Sequence, residues 1–160
     1  QPSDILFELD KIVYKTLQNN LEQTNIKDGM DMAICSLNTE TNELQFAGAY
    51  NPLYLIRNKE LTEYKGDKLA IGSGKDDNQY NNLVLQLEKG DRIYISSDGY
   101  ADQFGGPKGK KFKYKPFKDL LVKSWKLTMQ EQHLMVQSIF DEWKGDLEQV
   151  DDVCIIGVRV

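Results

Sequence analysis

One histidine, two cysteines, four prolines and no long apolar run set the first limits on this chain of 160 residues. His133 stands in a helical pattern, away from the acidic clusters, so schemes that pair a histidine with a serine or cysteine nucleophile fall away. Cys35 and Cys154 are far apart, each within an apolar run. They read as two buried thiols of a reducing, cytoplasmic compartment, not as a disulfide framework or a zinc site. No apolar stretch approaches the roughly 20 residues of a membrane-crossing helix or the core of a signal peptide, so no membrane contact is expected of this segment. The patterns GxxxxGK(S/T), GxGxxG and CxxC are missing too, which leaves nucleotide, dinucleotide and zinc chemistry without support.

A net charge of −5 argues against a nucleic-acid partner, because phosphate backbones are bound by basic faces. One stretch departs from that sign. Lys108–Lys118 (KGKKFKYKPFK) carries six lysines interleaved with Phe112, Tyr114 and Phe117. It reads either as a solvated lysine-rich loop or as a surface that meets an acidic or phosphorylated partner.

With 40% apolar and 28% charged residues, the composition is that of an ordinary globular protein. No repeat or linker divides the chain, so a single domain over 1–160 is expected. Pro2-Ser3 followed by Ile5, Leu6, Leu9, Ile12, Val13 and Leu17 predicts an amphipathic helix capped by Ser3. Segments 31–38, 43–49, 53–58 and 60–64 are short and apolar-rich with turn residues between them, the pattern of an antiparallel meander. Residues 83–87 and 92–96 around Lys89-Gly90-Asp91 predict a hairpin.

Two helices should follow. The first starts at Pro116 and carries Phe117, Leu120, Leu121 and Trp125; the second starts from a capping box of Thr128 and Glu131, with Leu134, Met135, Ile139 and Trp143 inward. VCIIGVRV at 153–160, apolar apart from Arg159, reads as a strand covered on both faces or nearly so. The fold class is α+β, a largely antiparallel β-sheet or sandwich with flanking helices.

Chemistry is expected where acids meet strand ends. Asp98 follows RIYISS and precedes Gly99, and Asp151-Asp152 stand directly before the last strand. A carboxylate at such a rim either caps a turn or binds a cation, because an unpaired buried charge is too costly. If the two strands are neighbours, the carboxylates converge, and hard oxygen ligands suit Mg²⁺ or Mn²⁺.

The order GDRIYISSDG at 90–99, EQVDD at 148–152 and a terminal apolar strand resembles the GD…(T/S)DG…DD order of the SpoIIE-like branch of the metal-dependent type 2C serine/threonine phosphatases. FAGAYNP at 46–52 and IG at 71–72 fall where that family has its AGHNP and LG elements. DGYADQFGGPKGKKF at 98–112 is similar to a subgroup that often forms the output end of multidomain sensor proteins.

The resemblance implies a partial type 2C fold, with 1–160 as the C-terminal portion of the domain. The family places a GD…D strand and a DGHG-type turn ahead of such a portion, and they supply the Asp that bridges two metals. By resemblance Asp98 and Asp151 are metal ligands, and Asp152 either ligates or orients Asp151. Gly99, Asp31, Asn51 and Asp102 are near-site residues. Asp31 falls where many members have a Thr, and Asn51 with Gly48 matches the AGHNP turn, read first as a strand-to-strand connection. Ala49-Tyr50 replaces the family's usual His, so no role is assigned to a His there.

The implied cofactor is Mn²⁺ or Mg²⁺, two ions in the complete domain, activating water to attack phosphorus in line. The implied partner is a phosphoserine or phosphothreonine protein, of the kind of the anti-sigma factor antagonists on which family members commonly act. The implied setting is the cytoplasm, including the cytoplasmic output domain of a membrane-bound sensor. This chain by itself is expected to bind metal weakly and turn over little. Its truncated sandwich favours a homodimer. Two other readings stay open: a non-catalytic module that binds a phosphoprotein through the lysine-rich segment, and a structural α+β domain whose acids cap turns.

Overall fold

The computed structural model describes residues 1–19, 29–73 and 80–160. In chain order it runs α1 (Pro2–Asn19), β1 (Met32–Asn38), β2 (Glu43–Ala49), β3 (Leu53–Arg57), β4 (Glu60–Tyr64), β5 (Leu83–Gln86) and β6 (Arg92–Ser96). There follow α2 (Gly99–Asp102), β7 (Phe104–Gly105), β8 (Lys110–Lys111), α3 (Tyr114–Lys123), α4 (Met129–Lys144) and β9 (Ile155–Arg159). The elements are mixed α and β, with three antiparallel or hairpin-built sheets, as the alternation and turn signals predict. They fall into two compact units: Gln1–Leu53 with Tyr64–Lys89, and Tyr54–Glu63 with Gly90–Val160.

In the first unit, β1, β2 and β5 form one sheet in that order, and α1 packs against it. Pro2 opens α1, where its fixed φ and missing N–H cost nothing. Ser3 therefore lies inside the first turn and is not the cap; its N–H reaches Asn82 Oδ1 at 3.5 Å. Leu6 is fully buried among Ala47, Ala49, Ile71 and Tyr80, and such burial contributes about 2 kcal/mol. Leu9 and Val13 pack on the same cluster, while Ile5 and Ile12 face solvent.

Asp10 shares the inward face. Its buried carboxylate accepts the N–H groups of Gly72 and Ser73 at 2.6 and 3.1 Å, so an acid of the helix holds the IG turn. Sequence reading assigned Asp10 no part; the available signal was an acid lying between Leu6 and Val13 on one helical face.

In the second unit the strand order is β4-β3-β6-β9. β3 and β4 are joined by Asn58-Lys59 with φ of 51° and 70°, the left-handed pair of a two-residue hairpin turn. The meander predicted over residues 31–64 is therefore split: β1 pairs with β2, β3 neighbours β4, and β2 and β3 belong to different sheets.

The predicted 83–96 hairpin does not form either. β5 pairs with β2, Leu85 facing Leu44 and Leu83 facing Phe46, whereas β6 lies between β3 and β9. Side chains beyond the turn decide this. Asp91 is captured by Arg57 of β3, and buried Arg92 donates to the carbonyls of Leu127 at 2.6 Å and Ser124 at 3.4 Å. The Arg57–Asp91 pair ties the start of β6 to β3, and the Arg92 bonds tie it to the segment after α3.

The core of the second unit joins Tyr54, Ile56, Tyr94, Tyr100, Phe117, Leu120, Leu121 and Phe140. α3 begins two residues before Pro116, and Trp125 follows its end while still packing on the core. α4 starts with the predicted capping box: Thr128 Oγ1 accepts the Glu131 N–H at 3.2 Å, and the Glu131 carboxylate accepts the Thr128 N–H at 2.8 Å. Those bonds hold the Glu131 carboxyl below its ordinary pKa.

On α4, Met135 and Ile139 pack on the core and Trp143 on Phe112 as expected, and Leu134 does not. Gln132 and Phe140 are buried, and Leu134 is 56% exposed. Tyr94 Oη donates to Gln132 Oε1 at 2.8 Å and Gln132 Nε2 to Ser124 Oγ at 2.6 Å, so a polar network replaces the leucine.

β9 also differs from the expected covered strand. It is not covered on both faces but is an edge strand, with Ile156 53% and Val158 38% exposed. One edge pairs with β6, and the other has no strand partner among the described residues.

Cys154, just ahead of β9, is exposed, so the expectation of two buried thiols holds for neither site in full; Cys35 is half-buried. Burial pushes the Cys35 thiol up to about 11. At pH 8 about a thousandth of it is thiolate. We expect a disulfide exchange reagent to titrate one thiol within seconds and the other over minutes or longer, and Cys154→Ser to remove the fast phase. Two equally fast phases would contradict the burial of Cys35.

Candidate metal-binding rim

Strands β6 and β9 are antiparallel neighbours, with Arg92 opposite Arg159 and Ser96 opposite Ile155. The pairing continues past the strands. Ser97 N–H donates to Cys154 O at 2.9 Å, Cys154 N–H to Ser97 Oγ at 3.0 Å, and Ser97 Oγ to Asp152 O at 2.8 Å. Ser97 thus fastens the exit of β6 to the approach to β9, a role the sequence signals only as a serine beside the Asp.

Gly99 completes the closure. A Cβ there would lie 2.4 Å from Asp152 O and 2.9 Å from Asp152 C, so the two main chains touch in a way a side chain forbids. The main chains bearing Asp98 and Asp152 therefore run together at one rim of the sheet, although more than fifty positions separate them in sequence.

Asp98 is exposed and occupies the N-cap position of α2 with φ −79° and ψ −17°, yet makes no side-chain cap hydrogen bond. The turn-capping use of that carboxylate is thereby set aside. Asp151 Oδ1 accepts the Asp152 N–H at 2.7 Å, which fixes one of its oxygens. Asp152 is exposed as well.

The remaining sequence-derived residues divide. Asp102 ends α2, but its carboxylate pairs with Lys111 Nζ at 2.9 Å. Asp31, exposed ahead of β1, and Asn51, half-buried in the link after β2, belong to the first unit. Gly48, near the end of β2, is a close-approach position: a Cβ would lie 2.3 Å from Asn51 O and 3.1 Å from Gly66 Cα. Tyr50 has φ 60° and is exposed. His133 is exposed on α4, beside an open cleft of about 520 Å³ that also takes in Met129, Val136, Ile155 and Gln149.

For a divalent cation the donor chemistry fits and the donor number does not. The rim offers exposed carboxylates on adjoining chain segments, the hard ligands such ions take. Among the described residues, however, no three His, Cys, Asp or Glu side chains gather closely enough to hold one.

The fold is that of the type 2C phosphatase domains. The chain matches the SiaA-PP2C domain of Pseudomonas aeruginosa at 31% identity and TM-score 0.87, covering 99% of this chain and 61% of that one. It also matches the phosphatase domain of SpoIIE from Bacillus subtilis at 16% identity and TM-score 0.57, covering 99% and 73%. The catalytic domain of the serine/threonine phosphatase PstP, solved with two manganese ions, matches at 13% identity and TM-score 0.63, covering 92% and 65%. This chain therefore spans about three fifths of the SiaA chain.

The stage II sporulation protein E model matches residues 1–160, and the chain belongs to that SpoIIE family. A comparison with curated proteins found no match. No helix among the described residues is long and apolar enough to cross a membrane.

Proposed function

We propose that this chain is the C-terminal portion of a Mn²⁺- or Mg²⁺-dependent protein serine/threonine phosphatase domain that serves as the output of a signalling protein. The observation that carries the reading is the convergence of β6 and β9 at Ser97, Gly99 and Asp152, which brings Asp98 and the Asp151-Asp152 pair to one rim. The SpoIIE family match and the likeness to SiaA support it; the manganese in PstP and the manganese-presoaked SpoIIE crystal support the metal.

In this reading Asp98 and Asp151 ligate, and Asp152 either ligates or orients Asp151 through the N–H donated to its Oδ1. When bound, the ions would acidify water and neutralise charge on the phosphate oxygens. The protein's own part is to keep the carboxylates on a stiff mount: Ser97 locks the strands, and α2 starts directly at Asp98. The substrate is a phosphoserine or phosphothreonine protein in the cytoplasm. The exposed edge of β9 supports self-association by strand pairing.

The incomplete donor set sets the affinity. Isothermal titration of this chain with Mn²⁺ is expected to give a dissociation constant of about 10⁻⁴–10⁻³ M, the weak end of carboxylate sites. Asp98→Asn and Asp151→Asn should each abolish the heat, and turnover of para-nitrophenyl phosphate should be slow. Unchanged titration by both variants would sink the metal site, and fast turnover by this chain alone would sink the account of an incomplete shell. Absence of any three-ligand cluster among the described residues favours one second reading, a phosphoprotein-binding module without chemistry. Phosphopeptide binding with no Mn²⁺ heat and no turnover would select it.

A further inference from the structure

We propose that the β7–β8 hairpin and the start of α3 form a docking surface for an acidic segment of the phosphoprotein substrate, beside the Asp98 rim. The assignment of that partner as a substrate rests on the phosphatase reading above.

Charge is the first ground. Residues 103–118 contain six lysines and no acid, in a chain of net charge −5. Two of the six are spent: Lys111 on Asp102 and Lys118 on Glu63 at 2.9 and 3.0 Å. Lys108, Lys110, Lys113 and Lys115 are exposed and make no ion pair among the described residues.

Rigidity is the second. Gly106 N–H donates to Trp143 O at 2.7 Å, Trp143 Nε1 to Gln103 O at 3.1 Å, and Phe112 N–H to Gln103 O at 2.9 Å. A Cβ on Gly105 would sit 1.8 Å from Trp143 O, so the hairpin lies flush on the end of α4. Fully buried Gln103 adds a bond to Glu148 O at 2.9 Å. A surface held this way loses little entropy on binding. Only α2 and Gln103 separate it from Asp98 along the chain.

Lys113 supplies the third ground. Its φ of 77° and ψ of 155° fall where glycine is the unstrained residue. A lysine kept in that conformation points to a use for its side chain.

The aromatics select the partner. Phe112 packs edge-on against Tyr100 and Trp143, at centroid distances of 5.1 and 5.3 Å, and Phe117 is buried. Phe112 and Phe117 are not free to stack on bases, which leaves Tyr114 and Phe104 as the exposed rings of the segment, at 44% and 40%, short of the run of platforms a single-stranded nucleic acid uses. Phe104 lies under the Lys111 ammonium at 5.8 Å, and no broad apolar face accompanies the lysines for insertion into lipid. An acidic protein segment fits what remains.

The test uses fluorescence anisotropy with a Glu-flanked serine peptide, its phosphoserine form and a Gln-flanked phosphoserine peptide, together with turnover of both phosphopeptides and para-nitrophenyl phosphate. Lys108, Lys110 and Lys115 are changed together to Gln. We expect affinity for both Glu-flanked peptides to fall tenfold or more, and the Gln-flanked peptide and para-nitrophenyl phosphate to change less than twofold. Lys113→Gly should keep or raise the thermal midpoint while weakening the acidic peptides about threefold, a split that a merely structural lysine does not give.

Equal wild-type affinity for acidic and neutral peptides overturns the proposal. So does an unchanged triple variant, or tighter binding to phosphatidylserine vesicles or single-stranded RNA than to the acidic peptide. The binding arm needs no turnover: acidic-peptide binding with neither Mn²⁺ heat nor hydrolysis refutes the phosphatase reading and leaves the acidic docking surface, whereas Mn²⁺ binding or hydrolysis without acidic preference refutes the docking surface alone.

Discussion

Asp91→Ala is expected to lower stability by about 3 kcal/mol, against the roughly 5–15 kcal/mol that a folded domain possesses. Asp91 is 2% exposed and receives two bonds from Arg57, Nε to Oδ1 at 2.9 Å and a terminal nitrogen to Oδ2 at 2.5 Å. The pair ties β3 to the first residues of β6, while the Asp91 carbonyl accepts the Val160 N–H at 3.0 Å. Removing one partner of a buried ion pair costs about 3–5 kcal/mol, because the other charge is left uncompensated. Arg57 is a third exposed and can recover water, which places the effect at the lower end. Urea unfolding should show the midpoint falling with the slope unchanged. Replacing both members with Leu and Met should recover much of the loss, since apolar packing substitutes for a pair better than a lone charge does. A single-variant loss below about 1 kcal/mol would mean that the bidentate contact does not organise β6.

The same pair shows why some of the fold was legible and some was not. Elements whose signal is local came through. Thr128 and Glu131 announce α4 because the capping box closes within four residues. Leu44, Phe46 and Leu83 mark strands by their own alternation.

What failed was partner choice. Lys89-Gly90-Asp91 turns as predicted, but whether β5 and β6 then pair depends on Arg57, 34 residues away, reaching Asp91. One position of α4 failed for a similar reason: periodicity ranks Leu134 above Gln132, yet Tyr94 and Ser124 offer the glutamine partners that no helical pattern contains. VCIIGVRV has the composition of a covered strand and the place of an edge strand. Composition does not state what lies alongside.

The candidate rim was legible as a set of acids at strand ends, because RIYISS and VCII flank them so plainly. Its construction was not. Ser97 and Gly99 act through main-chain contacts with Asp152, and no local pattern distinguishes a serine or glycine that fastens two strands from one that merely turns. Asp10 was hidden likewise, a helix acid whose partners are the N–H groups of a turn more than sixty residues on.

Gly99→Ala carries the largest functional prediction. The added methyl would stand 2.4 Å from Asp152 O, 2.9 Å from Asp152 C and 3.3 Å from Val153 Cγ2. Two of those three atoms are backbone, so no rotamer relieves the clash, and one chain segment must move by roughly half an ångström or more. Ser97 opposes movement on the β9 side through its bonds to Cys154 and Asp152, which leaves the Asp98–Gly99 segment to shift. Catalytic geometry tolerates such a displacement poorly, about a hundredfold for 1 Å. We therefore expect Mn²⁺ affinity and phosphatase turnover to drop tenfold to a hundredfold, with a stability loss of about 1–3 kcal/mol. Gly105→Ala is the control: its Cβ would meet Trp143 O at 1.8 Å, a harsher clash away from the acids. It should cost at least as much stability while leaving Mn²⁺ affinity within about twofold of the parent. Equal losses of Mn²⁺ affinity in the two variants would mean that the metal responds to general destabilisation and not to the meeting of Gly99 with Asp152.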